Sequence, residues 1–167
     1  PEDIKPKWDS LDGSYKFKNG SEIHIAGVNN AHEDDLRGSN SHLNIVDEAG
    51  MVDRLSYLLN SVLIPQTLTT GAITCIASTP SESPDHDYKW YYDQANELGN
   101  LSEFTIYDNT SLSLDKVEQI KEDLVGEDST DWQREYLVKF VVDAKLDVIP
   151  EWDDVYVQTI EHDEYYK

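Results

Sequence analysis

The sequence predicts an α/β fold whose sheet is largely parallel and which opens on an antiparallel β-hairpin. Three observations carry that expectation: alternation of apolar and polar residues on both sides of Asn19-Gly20, the short apolar run Leu43 to Val46 ending abruptly in Asp47 and Glu48, and a second apolar run, Ala72 to Ala77, reached through an amphipathic helix. Strands that alternate with helices of this length build parallel sheets, because a parallel neighbour needs a crossover.

The hairpin comes first. Ser14 to Lys18 alternates, Asn19-Gly20 is the residue pair that a two-residue turn with positive φ demands, and Ser21 to Ala26 alternates again with Ile23 and Ile25 on one face. Gly27 to Ser41 is polar and rich in turn formers, which predicts a surface loop carrying Arg37. Leu43 to Val46 is then expected as a strand buried on both faces. From Met51 to Ile64 the residues Met51, Val52, Leu55, Leu58, Leu59, Val62 and Leu63 recur at three and four, an amphipathic helix that Pro65 should stop. Ala72 to Ala77 is a second buried strand, closed by Ser78-Thr79-Pro80, so that strand, helix and strand form a βαβ crossover.

Further along, Asp85 to Leu98 reads as a helix, with Tyr88, Tyr91, Tyr92 and Ala95 on one side as packing residues. Phe104 to Tyr107 reads as a third short strand, Leu114 to Val125 as a helix capped by Ser113, and Trp132 to Val141 as another helix. Residues 1–150 are taken as one partial domain and 151–167 as an acidic C-terminal segment.

Charge narrows the partners. Against 34 Asp and Glu stand 13 Lys and Arg, a formal net charge of −21. Such a surface repels nucleic acid and anionic membrane unless a local basic patch intervenes. None is visible along the sequence, since Arg37, Arg54 and Arg134 are scattered and the lysines occur singly or in loose pairs such as Lys16 and Lys18. The single cysteine, Cys75, excludes an intramolecular disulfide and a thiolate zinc site, and its place inside an apolar run predicts a buried, inert thiol. No run reaches the roughly 18 apolar residues of a spanning helix, and the chain begins without a signal-like segment, so no membrane partner is expected.

The chemistry concentrates at strand ends. Asp47 and Glu48 leave the carboxyl end of the first buried strand, where open α/β sheets bind ligands, and their side chains diverge. Nucleotide hydrolysis uses that divergence: one carboxylate holds Mg²⁺ through water while the next orients the attacking water. The plainer reading is that both acids begin a loop or favour the dipole of the following helix. Ser78 and Thr79 close the neighbouring strand, where hydroxyls can sense a phosphate, though Ser, Thr and Pro also end strands for turn reasons alone. Arg37, within Leu36-Arg37-Gly38, is either a phosphate-facing arginine or a surface ion pair. His24, His32, His42, His86 and His162 lack metal-ligand spacing, no serine sits in a GxSxG elbow, and no glycine opens a GxxxxGK[ST] loop.

Taken in order, Asn19-Gly20-Ser21-Glu22-Ile23, Leu36-Arg37-Gly38, Leu43-Asn44-Ile45-Val46-Asp47-Glu48-Ala49, Ala77-Ser78-Thr79-Pro80, Trp132-Gln133-Arg134-Glu135-Tyr136-Leu137 and Val148-Ile149-Pro150 resemble the large terminase subunit of tailed bacteriophages, an ATP-driven DNA-packaging motor. The resemblance implies a P-loop NTPase-like (ASCE-type) fold and the later half of its ATPase domain. The Walker A segment would precede residue 1, a nuclease domain would follow about residue 160, and the 167-residue piece alone would be inactive or nearly so. It also implies Asp47 as the Mg²⁺ carboxylate, Glu48 as the water-activating one, Ser78 and Thr79 as nucleotide-sensing and coupling residues, and Arg37 near the nucleotide or a subunit interface. ATP and Mg²⁺ would be the cofactors. Double-stranded viral DNA, the portal protein, the small terminase subunit and further copies in a ring would be the partners, in the host cytoplasm at the procapsid. A superfamily 2 helicase-like half is the near alternative, since Asp47-Glu48-Ala49-Gly50 resembles that group's Asp-Glu-Ala-Asp box. A non-catalytic acidic binding module is the distant one.

Overall fold

The structure, a computed structural model, describes residues 4–124 and 126–141. Val125, Val148-Ile149-Pro150 and the acidic segment 151–167 therefore lie outside the described residues. The fold is mixed α/β, with a three-stranded antiparallel sheet and a two-stranded parallel one. The chain divides into two units, residues 1–79 with 86–94, and residues 80–85 with 95–167.

In the first unit the hairpin gains a strand that alternation alone did not reveal: β1 (Lys7–Asp9) pairs antiparallel with β2 (Ser14–Lys16), which pairs with β3 (Glu22–His24). At only three residues between Pro6 and a turn, β1 offers too short a pattern to detect. The β2–β3 connection is wider than the predicted two-residue turn. The Phe17 amide donates to Ser21 O at 2.9 Å and Gly20 N–H to Phe17 O at 3.1 Å, with Gly20 at φ +85°, a conformation its missing Cβ permits. Residues 27 to 41, expected as plain loop, contain a 3₁₀ helix, Asn29–Leu36.

β4 (Leu43–Val46) and β5 (Ile73–Ile76) are parallel neighbours in register Leu43↔Ile73 through Val46↔Ile76, as a βαβ crossover requires. The crossover is one helical run: α1 (Leu55–Tyr57), a π-helical stretch Leu58–Leu63, and α2 (Ile64–Thr67). Pro65 does not stop it. A proline ring clashes with the carbonyl four residues back, and here the widened turn relieves that clash, with Ile64 N–H reaching Leu59 O five residues back. Leu55, Leu58, Leu59, Val62 and Leu63 bury their side chains with Val46, Ala49, Val52 and Tyr88 to form this unit's core. Each fully buried leucine contributes roughly 2 kcal/mol of apolar transfer.

The expectation of strands buried on both faces is corrected. Leu43, Ile45 and Ile73 are 55%, 68% and 68% exposed, and Cys75 beside them is exposed rather than buried. Among the described residues the helical run covers only the opposite face, that of Asn44, Val46, Thr74 and Ile76.

α3 (Asp87–Glu97) realises the predicted tyrosine-bearing helix, with Tyr88 buried. In the second unit the expected strand at Phe104 is instead a 3₁₀ turn, Ile106–Asp108, because Thr105 and Asp108 form a reciprocal capping box that outcompetes an extended backbone. α4 (Leu114–Asp123) starts as expected on Ser113, whose Oγ accepts Lys116 N–H at 3.3 Å. The helix expected from Trp132 to Val141 is reduced to a π-helical turn, Trp132–Tyr136. Trp132 is 1% exposed and stacks on Tyr136 with ring centroids 5.2 Å apart.

Candidate functional site

The ends of β4 and β5 meet. Ala77 N–H donates to Val46 O at 2.9 Å and Ala49 N–H to Ala77 O at 3.1 Å, which carries the parallel ladder past both strands. Gly50 N–H then donates to Ser78 Oγ at 2.9 Å. The acidic pair and Ser78 thus belong to one small constellation, and Tyr88 braces it by donating its hydroxyl to Ser78 O at 3.1 Å.

Asp47 and Glu48 are both exposed. Asp47 Oδ1 accepts Glu48 N–H at 3.1 Å, which orients the carboxylate while leaving its second oxygen to solvent. Glu48 adopts φ 53°, ψ 41°, the left-handed region, which a residue with a Cβ enters at a cost of about 1–2 kcal/mol. The chain then closes into a 3₁₀ turn, Ala49–Met51, with Met51 N–H on Glu48 O. Strained non-glycine backbone of this kind clusters at functional sites. No set of three or more His, Cys, Asp or Glu able to cage a metal occurs among the described residues. Asp47 is a single exposed oxygen donor, which suits a hard cation that retains most of its water.

Arg37 is held elsewhere. Its Nε donates to Asp34 Oδ1 at 2.6 Å and its Nη2 to the Tyr57 hydroxyl at 2.9 Å, while that hydroxyl donates to Asp34 Oδ1 at 2.7 Å. The Arg37 and then the Tyr57 hydrogen bonds hold the Asp34 carboxyl below the ordinary range, while the bonds to Asp34 and then Tyr57 raise the arginine further. Among the described residues no hydrogen bond joins Arg37 to Asp47, Glu48, Ser78 or Thr79.

Two features escaped sequence reasoning. Arg37 and Arg54, scattered in the sequence, both lie against the Tyr57 ring, 5.6 and 4.1 Å from its centroid, and Arg54 also approaches the buried Glu33 at 3.7 Å. Arg134, in the second unit, is 7% exposed and bonded to Glu135, Asp131 and Glu82 at 3.0, 3.1 and 3.3 Å. Spacing of three marks Asp131 and Arg134 as partners; Glu82 has no such signal.

A family model described as terminase large subunit, T4likevirus-type, N-terminal, matches residues 1–145. The chain belongs to this terminase family. No curated protein and no solved structure matches it. As a terminase large-subunit domain it falls among the phage DNA-packaging proteins, and membership separates it from the helicase-like alternative.

Proposed function

We propose that this terminase domain supplies the Walker B and coupling half of a DNA-packaging ATPase, a P-loop NTPase-like core that hydrolyses ATP to move double-stranded viral DNA into procapsids. The observation that carries the proposal is the Gly50 N–H to Ser78 Oγ bond of 2.9 Å, which ties the acidic turn after β4 to the hydroxyl-bearing end of β5. A change felt at one strand end has a direct path to the other.

The residues present suit ATP with Mg²⁺. Asp47 offers one exposed carboxylate oxygen for a water of the cation's shell, and the cation, when bound, neutralises charge on the phosphates. Glu48, at the left-handed turn that follows Asp47, accepts the proton of the water that attacks the γ-phosphorus as the bond to the β-phosphate oxygen breaks. Ser78 and Thr79 transmit the phosphate's presence to β5, and Arg37 serves the nucleotide of its own or a neighbouring subunit. In this proposal the phosphate cradle is supplied by a Walker A segment outside these residues. Portal protein, small subunit and a ring of further copies are the partners, at the procapsid in the host cytoplasm.

The test is Glu48→Gln in a chain extended to include a GxxxxGK[ST] segment. Turnover should fall about 10²- to 10⁴-fold, the usual contribution of a positioned general base, while nucleotide binding persists. Turnover retained in that variant removes Glu48 from the mechanism. An acidic module binding by charge alone would be indifferent to the change.

A further inference from the structure

His86, Asp87 and Tyr88, at and just before the start of α3, each bond a different segment around the strand ends. His86 Nδ1 accepts Tyr88 N–H at 3.0 Å, so the ring proton lies on Nε2, which donates to Val52 O at 3.1 Å. Val52 is the residue that closes the 3₁₀ turn after Glu48. Asp87 Oδ2 accepts Ser56 N–H at 3.1 Å, an amide of the first turn of α1 that has no partner within its own helix. Tyr88, 7% exposed, donates its hydroxyl to Ser78 O at 3.1 Å, while Ser78 Oγ accepts Gly50 N–H. The exit of the acidic turn, the start of the crossover helix and the end of β5 are thus bound to one helical turn. Packed interiors are stiff, so a buried ring passes on a displacement of its hydroxyl instead of absorbing it.

We propose that Tyr88 is a positioning residue of this site: its hydroxyl fixes the Ser78–Thr79 peptide, and α3 carries any movement of that peptide to the exit of the acidic turn and the start of α1. The carbonyl it bonds shares a planar peptide unit with the Thr79 amide, so the Thr79 backbone is set by the same contact. Removing only the hydroxyl takes a donor from the carbonyl and leaves the ring in place, which separates orientation from packing. The inference rests on the proposed function for what the brace serves, while the brace itself is read without nucleotide.

Nuclear magnetic resonance of the 167-residue chain tests it with Tyr88→Phe. The Ser78 carbonyl carbon should shift upfield and the Thr79 amide nitrogen move with it, as follows when a carbonyl loses a hydrogen-bond donor. The Gly50 and Ser56 amides should exchange with solvent roughly two- to ten-fold faster, the effect of one hydrogen bond on a local opening equilibrium. Coupling is reciprocal, so Asp87→Ala, at the far end, should speed exchange at Gly50 as well as at Ser56, where a purely local contact would leave Gly50 alone. Tyr107→Phe, in the second unit, should leave these signals in place. In the chain extended to include GxxxxGK[ST], Tyr88→Phe should lower kcat about ten-fold with the KM for ATP within about two-fold, since misplacing a positioned group costs the chemical step up to about 10²-fold. An unchanged Ser78 carbonyl shift, Gly50 and Ser56 amides that exchange at the parent rates, or an unchanged kcat each overturns the proposal. An extended parent chain without turnover overturns the proposed function instead, and the carbonyl shift and exchange rates still decide the brace.

Discussion

Replacing Glu48 by glycine should make the domain more stable while removing the group proposed to activate water. Glu48 sits at φ 53°, ψ 41°, where its Cβ crowds the following carbonyl. Relief of that crowding is worth about 1–2 kcal/mol. Against it stands the extra freedom of glycine in the unfolded chain, about 0.5–1 kcal/mol. The carboxylate itself is exposed and has no hydrogen bond or ion pair among the described residues, so its loss adds no large opposing contribution. The net is stabilisation of about 0.5–1 kcal/mol, which for a domain of this size raises the melting temperature by roughly 1–4 °C. Glu48→Ala is the necessary comparison, because it deletes the carboxylate but retains the Cβ and so retains the strain. Thermal unfolding of the three proteins, followed by circular dichroism at one pH and concentration, should rank glycine above glutamate and alanine. A glycine variant no more stable than the alanine variant would show that the turn stores no strain and that its geometry alone is no pointer to function.

Two further outcomes follow from neighbouring contacts. Asp34 is held below its ordinary carboxyl value of 3.8 first by Arg37 and then by Tyr57, so whatever stability this contact gives is present above that value and is lost as pH falls below it through the lower value of the folded chain. Tyr57→Phe removes one donor, and the Asp34 titration followed by carbon-detected NMR should move upward toward the ordinary value; an unchanged titration would show that the tyrosine hydroxyl does not bond the carboxylate. Cys75, exposed on the outer face of β5, should react with a thiol reagent in the native chain without denaturant. A native thiol that reacts only on unfolding would mean that the face is covered.

What was legible in the sequence is what depends on chain neighbours. Leu43 to Glu48 declares a strand and where it ends, because an apolar run and the acids that finish it are adjacent. Ser113 announces a helix start through a hydroxyl reaching an amide three residues on. The pairing of β4 with β5 follows from one crossover helix, and with it the meeting of Gly50, in the turn after the acidic pair, with Ser78. The failures have equally local causes. Phe104 to Tyr107 looks extended by composition, yet Thr105 and Asp108 satisfy each other's backbone in a turn. Pro65 ends helices of ordinary pitch, and a π-helical stretch changes the pitch just before it.

The lysines were illegible for a different reason. Lys7 and Lys16 stand nine residues apart, and only the antiparallel register of β1 and β2 sets them opposite one another on one face and Trp8 opposite Tyr15 on the other. Strand β1 was the element that the alternation failed to disclose, so these pairings disappeared with it. The open face of β4 and β5 shows the converse. Leu43, Ile45 and Ile73 carry a pattern suited to a sheet covered on both sides, and the described residues cover one. A strand's composition records the surroundings in which its residues are compatible, whereas its exposure records the residues at hand. The difference between them is confined here to one face of one strand pair.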